Sequence, residues 1–175
     1  MARIPYAEKG QEAQGATPVY QQMEQGMGLV PNVVKLVGHS GPVTQAMGTS
    51  LDVYFNQLSI DPKLRELAYL TVAKYNGCAY CQGHHVPAGK QAGLTDAQIE
   101  QLNESGFNSG DFSDAERAVI RFAYETTRDV KASDEAMDAV KAHYDNQQIA
   151  EITFVVACAN FIQRVGKNLG VELEF

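Results

Sequence analysis

Of the three cysteines and four histidines in this 175-residue chain, two of each fall in one short run, Cys78-Ala79-Tyr80-Cys81-Gln82-Gly83-His84-His85. At about 100° per residue, Cys78, Cys81 and His85 lie within about 60° of one another on a helix surface, while Tyr80 and His84 point elsewhere. The two thiols and the imidazole can therefore act together. An odd number of cysteines argues against purely structural pairing, and in a reducing compartment a close pair is more often metal-binding or redox-active than a staple. The pair directly follows Asn76-Gly77, where a helix would start, and there free backbone N–H groups and the macrodipole favour the nucleophilic thiolate. Side chains three apart on a regular helix have Cβ atoms about 5–6 Å apart, whereas a disulfide wants about 3.5–4.5 Å, but a first turn can adjust. Thiolate formation and reversible disulfide formation are both accessible.

His85, one turn after Cys81, can take the thiol proton or hold an imidazolium against the thiolate. Glu66 lies in line with Leu70 and Ala73 on a segment that is apolar almost all round, where burying a carboxylate is costly without a partner. If the chain reverses at Asn76-Gly77, that face comes close to the cysteine-bearing helix, and Glu66 becomes a candidate proton acceptor or orienter for His85. A different reading makes Cys78, Cys81 and His85 or His84 ligands of a metal in a non-enzymatic module, because Cys-x-x-Cys is common in zinc sites; no second ligand pair accompanies them. Cys158, in the apolar run Val155-Val156-Ala157-Cys158-Ala159, is expected to be a structural thiol, and His84 a surface or interface residue. His39 and His143 have no partner pattern, and the eight tyrosines are expected in the core or at interfaces.

The elements that must position these residues are helices. Thr17-Pro18 supplies a cap followed by proline, a short helix is expected over Val30 to Val37 behind Pro31, and Ser40-Gly41-Pro42 opens a segment running to Leu58. Asp61-Pro62 opens the next helix, to about Tyr75, whose all-round apolar character predicts burial. Asn76-Gly77 interrupts it because glycine tolerates the angles of a tight reversal, and a second helix is predicted from Cys78 to about Ala92. Thr95-Asp96-Ala97-Gln98 and Ser113-Asp114-Ala115-Glu116 both fit the capping box. Further helices are expected from near Ser133 and over roughly Asn146 to Leu169. No alternating run is long enough for a strand, so the expected class is all-α. One domain over 1–175 is expected, with 1–15 a flexible or extended lead-in.

The apolar fraction of 45% suits a globular core, and a net charge of −7, from 14 Lys and Arg against 21 Asp and Glu, lacks the basic footprint that nucleic acid requires. The N-terminal residues have no apolar signal-type run, and the apolar stretch Ile152 to Ile162 is too short to cross a bilayer. A soluble cytoplasmic protein, without nucleic-acid or membrane partners, is expected.

The spacing Glu66, eleven residues, Cys78, two residues, Cys81, three residues, His85 is similar to the carboxymuconolactone decarboxylase-like superfamily, in its AhpD-type alkylhydroperoxidase branch. Weaker similarity extends from Gly28-Leu29-Val30-Pro31-Asn32 through Asp61-Pro62-Lys63-Leu64-Arg65-Glu66 to Glu151-Ile152 and Asn160-Phe161-Ile162-Gln163-Arg164. The resemblance implies an all-helical fold assembled as a homo-oligomer, trimer or hexamer, with no cofactor, that reduces a small-molecule peroxide at a dithiol. It further implies Cys81 as the peroxidatic thiol, Cys78 as the resolving thiol, His85 with Glu66 as the proton relay, and an external dithiol as reductant. Two departures matter. Tyr80 stands where the AhpD relay has a histidine, and the Cys pair is one that the decarboxylases of the superfamily generally lack, which moves the reading away from lactone decarboxylation; a decarboxylase or isomerase using His85 and Glu66 as acid and base, with the thiols idle, is the alternative on the same scaffold.

Overall fold

Proline and glycine punctuate a chain of helices in the computed structural model, which describes residues 1–174. In chain order these are α1 (Thr17–Met27), α2 (Asn32–Val37), α3 (Gly41–Asp52), α4 (Pro62–Tyr75), α5 (Ala79–Gln91), α6 (Asp96–Glu100), α7 (Asp114–Asp129), α8 (Asp134–Lys141) and α9 (Asn146–Leu169). A π-helical turn, Val53–Gln57, continues α3, and a 3₁₀ turn, Glu104–Asn108, precedes α7. No strand occurs among the described residues, and the class is all-α.

The chain forms two compact units. The first is Met1–Leu58 together with the residues from Arg164 onward, and the second is Ser59–Gln163. In the first unit, Tyr20 donates its hydroxyl to the Ala7 carbonyl at 2.7 Å, and Ala7 N–H donates to Lys35 O at 3.0 Å. Those bonds, with Arg3 N–H to Leu169 O at 2.8 Å, fasten the helix-free segment 1–15.

Every residue of α4 from Glu66 to Ala73 is buried, as its apolar wheel requires, and α4 packs against both α5 and α7 in the second unit. Leu67, Leu70 and Val72 are fully enclosed, and each such side chain contributes roughly 1.5–3 kcal/mol by leaving water. The ends of α4 are tied electrostatically: Lys63 meets Glu116 of α7 at 2.7 Å, and Lys74 Nζ donates to Ile99 O, also at 2.7 Å. Glu151 of α9 accepts from the backbone N–H of Ser59 at 2.8 Å and of Ile60 at 2.9 Å, holding the approach to α4. Both capping boxes form at Thr95 and Ser113, and Ser133 caps α8.

Two local expectations change. Ala16, not Thr17, is the N-cap of α1; Thr17 lies inside the first turn, where its hydroxyl donates to Glu12 Oε1 at 3.0 Å. The segment after Ser40 leaves α-helical geometry at Asp52 and finishes as the π-helical turn. Helix α9 covers the expected Asn146–Leu169, with the apolar run Ile152 to Ile162 inside it. At 24 residues it alone, among the described residues, is long and apolar enough to cross a membrane. Its Ile152, Val155, Val156, Ala159 and Ile162 are buried within the chain, which accounts for its apolar character as a core helix.

Candidate functional site

The Asn76-Gly77 turn does two jobs at once. Gly77 adopts φ 58°, a left-handed conformation that carries no Cβ penalty in glycine. It thereby closes α4 with a Schellman arrangement: Cys78 N–H donates to Ala73 O at 2.9 Å and Gly77 N–H to Lys74 O at 3.1 Å. The residue that completes this C-terminal cap, Cys78, is also the N-cap of α5. Its sulfur accepts from the backbone N–H of Cys81 at 3.3 Å, so the thiol position faces the unsatisfied end of a helix.

Cys78 and Cys81 are joined as a disulfide, with Cα atoms 5.3 Å apart. Because Cys78 stands outside the helix in an extended conformation and Cys81 lies in its first turn, the pair escapes the wider spacing of two fully helical positions. Both are buried, at 1% and 3% exposure. The third cysteine, Cys158, is a free, buried thiol whose pKa burial pushes up to about 11.

One turn after Cys81, His85 points back to α4. Its Nδ1 lies 2.8 Å from Glu66 Oε2, and the pair is buried. A carboxylate can only accept, so this contact places the ring hydrogen on Nδ1 and leaves Nε2 as the nitrogen able to exchange a proton. The second carboxylate oxygen, Oε1, faces Arg65 Nε at 3.6 Å. The imidazole and the guanidinium together offset the cost of sinking Glu66 into an apolar helix. Gly89 lets the two helices meet: a Cβ there would stand 3.0 Å from Leu70 Cδ1, 3.1 Å from Leu94 Cδ1 and 3.7 Å from Glu66 Cβ.

The other face of the imidazole is covered by Tyr69, whose ring stacks on it with centroids 3.6 Å apart and planes 19° apart. Tyr69 was expected in the core; its place on His85 was not, although three residues after Glu66 on the same helix is the signal that could have found it. Arg65, beside Glu66 on α4, and Gly89, which acts only across the α4–α5 contact, were likewise missed. A cleft of about 430 Å³, lined by Asp61, Lys63, Arg65, Glu66, Ala88 and Gln91, borders the carboxylate.

Tyr80 and His84 lie edge to face with each other at 4.7 Å, pointing away from the Glu66–His85 pair as the helical wheel requires. His39 Nε2 contacts Pro5 O at 2.8 Å in the first unit, and His143 packs against Tyr144. Among the described residues, no group of three or more His, Cys, Asp or Glu is arranged to hold a metal ion. In the disulfide form the two sulfurs offer no thiolate ligand.

Residues 45–125, which include Glu66, Cys78, Cys81 and His85, match the model of the Carboxymuconolactone decarboxylase family. The uncharacterized protein YdfG of Bacillus subtilis (strain 168) is 28% identical over 123 residues, 69% of this chain and 82% of that protein. The alkylhydroperoxidase AhpD core protein of Ralstonia eutropha JMP134, a peroxidase-related protein, superposes with a TM-score of 0.82 at 17% identity, over 99% of this chain and 92% of its own. The debrominase Bmp8, solved in complex with 2,3,4-tribromopyrrole, gives 0.80 at 20% identity, over 99% and 94%. These structural likenesses bear on the fold. The family match lies across the helical hairpin that bears the Glu66, Cys78, Cys81 and His85 pattern, and the chain has the AhpD-type fold.

Proposed function

We propose that this protein is a thiol-dependent peroxidase in which Cys81 attacks the peroxide, Cys78 resolves, and His85 with Glu66 manages the protons. The observation that carries this reading is the Cys78–Cys81 disulfide at the start of α5, in the same hairpin as the buried Glu66–His85 pair.

In the reduced protein, the Cys81 thiolate attacks one oxygen of a hydroperoxide. The O–O bond breaks, the alkoxide leaves with a proton from His85 as an alcohol, and Cys81 becomes a sulfenic acid. The Cys78 thiolate then attacks that sulfur; the S–S bond forms and the oxygen leaves as water after protonation. Glu66 holds Nδ1 of His85 so that Nε2 is the nitrogen that gives and receives these protons. Two electrons and two protons from an external dithiol restore the thiols. The N-cap position of Cys78 favours its thiolate, because the α5 N–H groups and dipole stabilise negative charge there.

The test is stopped-flow mixing of reduced protein with cumene hydroperoxide, followed by mass mapping. One equivalent of peroxide should be consumed with formation of the Cys78–Cys81 disulfide. If Cys81→Ser consumed peroxide as fast as the parent, the proposal would be wrong.

A further inference from the structure

The turn that presents Cys78 is fastened to helices far from it in the chain. Asn76, the C-cap of α4, has φ −75° and ψ −7°, right-handed backbone open to any residue, and the left-handed position of the reversal belongs to Gly77. The backbone therefore makes no demand for asparagine at 76. What asparagine adds is a side chain that reaches α9: its Nδ2 donates to Gln163 Oε1 at 2.8 Å and to Asn160 Oδ1 at 3.1 Å.

The directions of these bonds follow from the far end of the cluster. Val156 O can only accept, so the Asn160 group 3.0 Å from it is the amide nitrogen. Thr127 Oγ1 gives its hydrogen to Ala123 O at 2.7 Å and so accepts from the same nitrogen at 3.1 Å. Asn160 then presents its oxygen to Asn76, which answers with its amide hydrogens. Gln163 is 1% exposed, and a polar side chain at that depth is destabilising unless it is bonded. The cluster thus ties the turn before Cys78 to both α7 and α9. Cys78 comes two residues after the anchored side chain and stands outside α5 in extended backbone, so its approach to Cys81 follows the turn as well as the helix.

We propose that Asn76 is a positioning residue for the Cys78–Cys81 pair: its amide, held by Gln163 and Asn160, keeps Cys78 close to Cys81 in the reduced protein and so sets how strongly the pair favours its disulfide. Two thiols close more readily the less freedom they must give up. This deepens the peroxidase reading by naming what governs the resolving thiol, and rests on that reading only for the effect on turnover.

The experiment equilibrates the protein with glutathione buffers of graded ratio and quantifies the Cys78–Cys81 disulfide by mass after alkylation. In that exchange one glutathione disulfide takes two electrons and the two thiol protons of the pair, giving two glutathione thiols and the protein disulfide. In Asn76→Ala the turn gains freedom that closure must remove, and the equilibrium constant for disulfide formation falls about tenfold, a shift of about 30 mV. Gln163→Met shifts it in the same direction, and the double variant shifts it no further than Asn76→Ala, because both act through one contact. Glu125→Gln, which disturbs the bonds of Glu125 to Arg121 and Ser133 outside the cluster, leaves the equilibrium at the parent's value. A parent-like equilibrium in Asn76→Ala, additive shifts in the double variant, or an equal shift in Glu125→Gln overturns the proposal. Should Asn76→Ala not fold, Gln163→Met against Glu125→Gln decides by the same criterion. If the parent consumes no peroxide while Asn76→Ala still shifts the glutathione equilibrium, the peroxidase reading fails and the positioning role stands.

Discussion

His85 Nδ1 and Glu66 Oε2 sit 2.8 Å apart although 19 residues separate them in the chain. The contact exists because α4 ends in a glycine-dependent reversal and because Gly89 allows α5 to lie close against α4 at the level of Glu66. A chemically competent pair is thus built by a turn and a missing side chain.

Glu66→Gln keeps the shape of the side chain but replaces the anion that holds Nδ1. A positioned acid–base group typically contributes about 10²–10⁴-fold, and a fall in kcat/KM with cumene hydroperoxide toward the lower end of that range is expected. Stability should change by no more than about 1–3 kcal/mol, since the amide can still hydrogen-bond. Urea unfolding alongside the kinetics separates the two effects, and an undiminished kcat/KM would remove Glu66 from the relay.

Cys78→Ser should stop the cycle after one chemical event. With the resolving thiol gone, peroxide converts Cys81 to a sulfenic acid that persists and can be captured by a dimedone reagent, while Cys81→Ser captures none. Label found on Cys78 in the Cys81→Ser protein would reverse the assigned roles.

Exposure of 1% for Cys78 and 3% for Cys81 means that an external reductant must wait for the first turn of α5 to open. Reduction should therefore slow as the reductant grows, with a small phosphine much faster than a protein dithiol of comparable driving force. Equal rates would mean the sulfurs are openly accessible. Cys158, with its pKa raised to about 11 by burial, should resist iodoacetamide at neutral pH after the pair is reduced and react only on unfolding.

Gly89→Ala should destabilise the protein by about 1–3 kcal/mol, because the added methyl would crowd Leu70 and Leu94 and drive α5 from α4. Activity per folded molecule should fall with it, since the same displacement lengthens the Glu66–His85 contact. A melting temperature equal to the parent's would show that the helices accommodate the group.

Glu125 gives a stability change with pH. Burial pushes its carboxyl up, but the hydrogen bonds from Ser133 and the Arg121 guanidinium outweigh that and bring it down to about 2, from an ordinary 4.5. A carboxylate whose folded pKa lies below its unfolded value stabilises the fold above the unfolded pKa, and that contribution is lost as pH falls through the folded one. Glu125→Gln should thus be less stable than the parent at neutral pH, with the gap closing between pH 4.5 and pH 2. Urea midpoints across that range check it; a gap independent of pH would contradict the linkage.

Local physics was readable without coordinates. The capping boxes at Thr95 and Ser113, the Asn76-Gly77 stop and the all-apolar wheel of α4 follow from preferences within a few residues, and each appears in the fold, whereas Cys78, read as the first helical residue, stands at the N-cap outside α5. Glu66 was legible only as a problem, a carboxylate on an apolar helix. Its solution depended on the crossing of α4 and α5, which no single-helix periodicity encodes. The stack of Tyr69 on His85 and the amide chain through Asn76, Asn160 and Gln163 belong to the tertiary structure for the same reason. Contacts between elements are set by how close and at what angle they pack, and that is decided by side-chain volumes summed over the whole interface rather than by any one spacing along the chain.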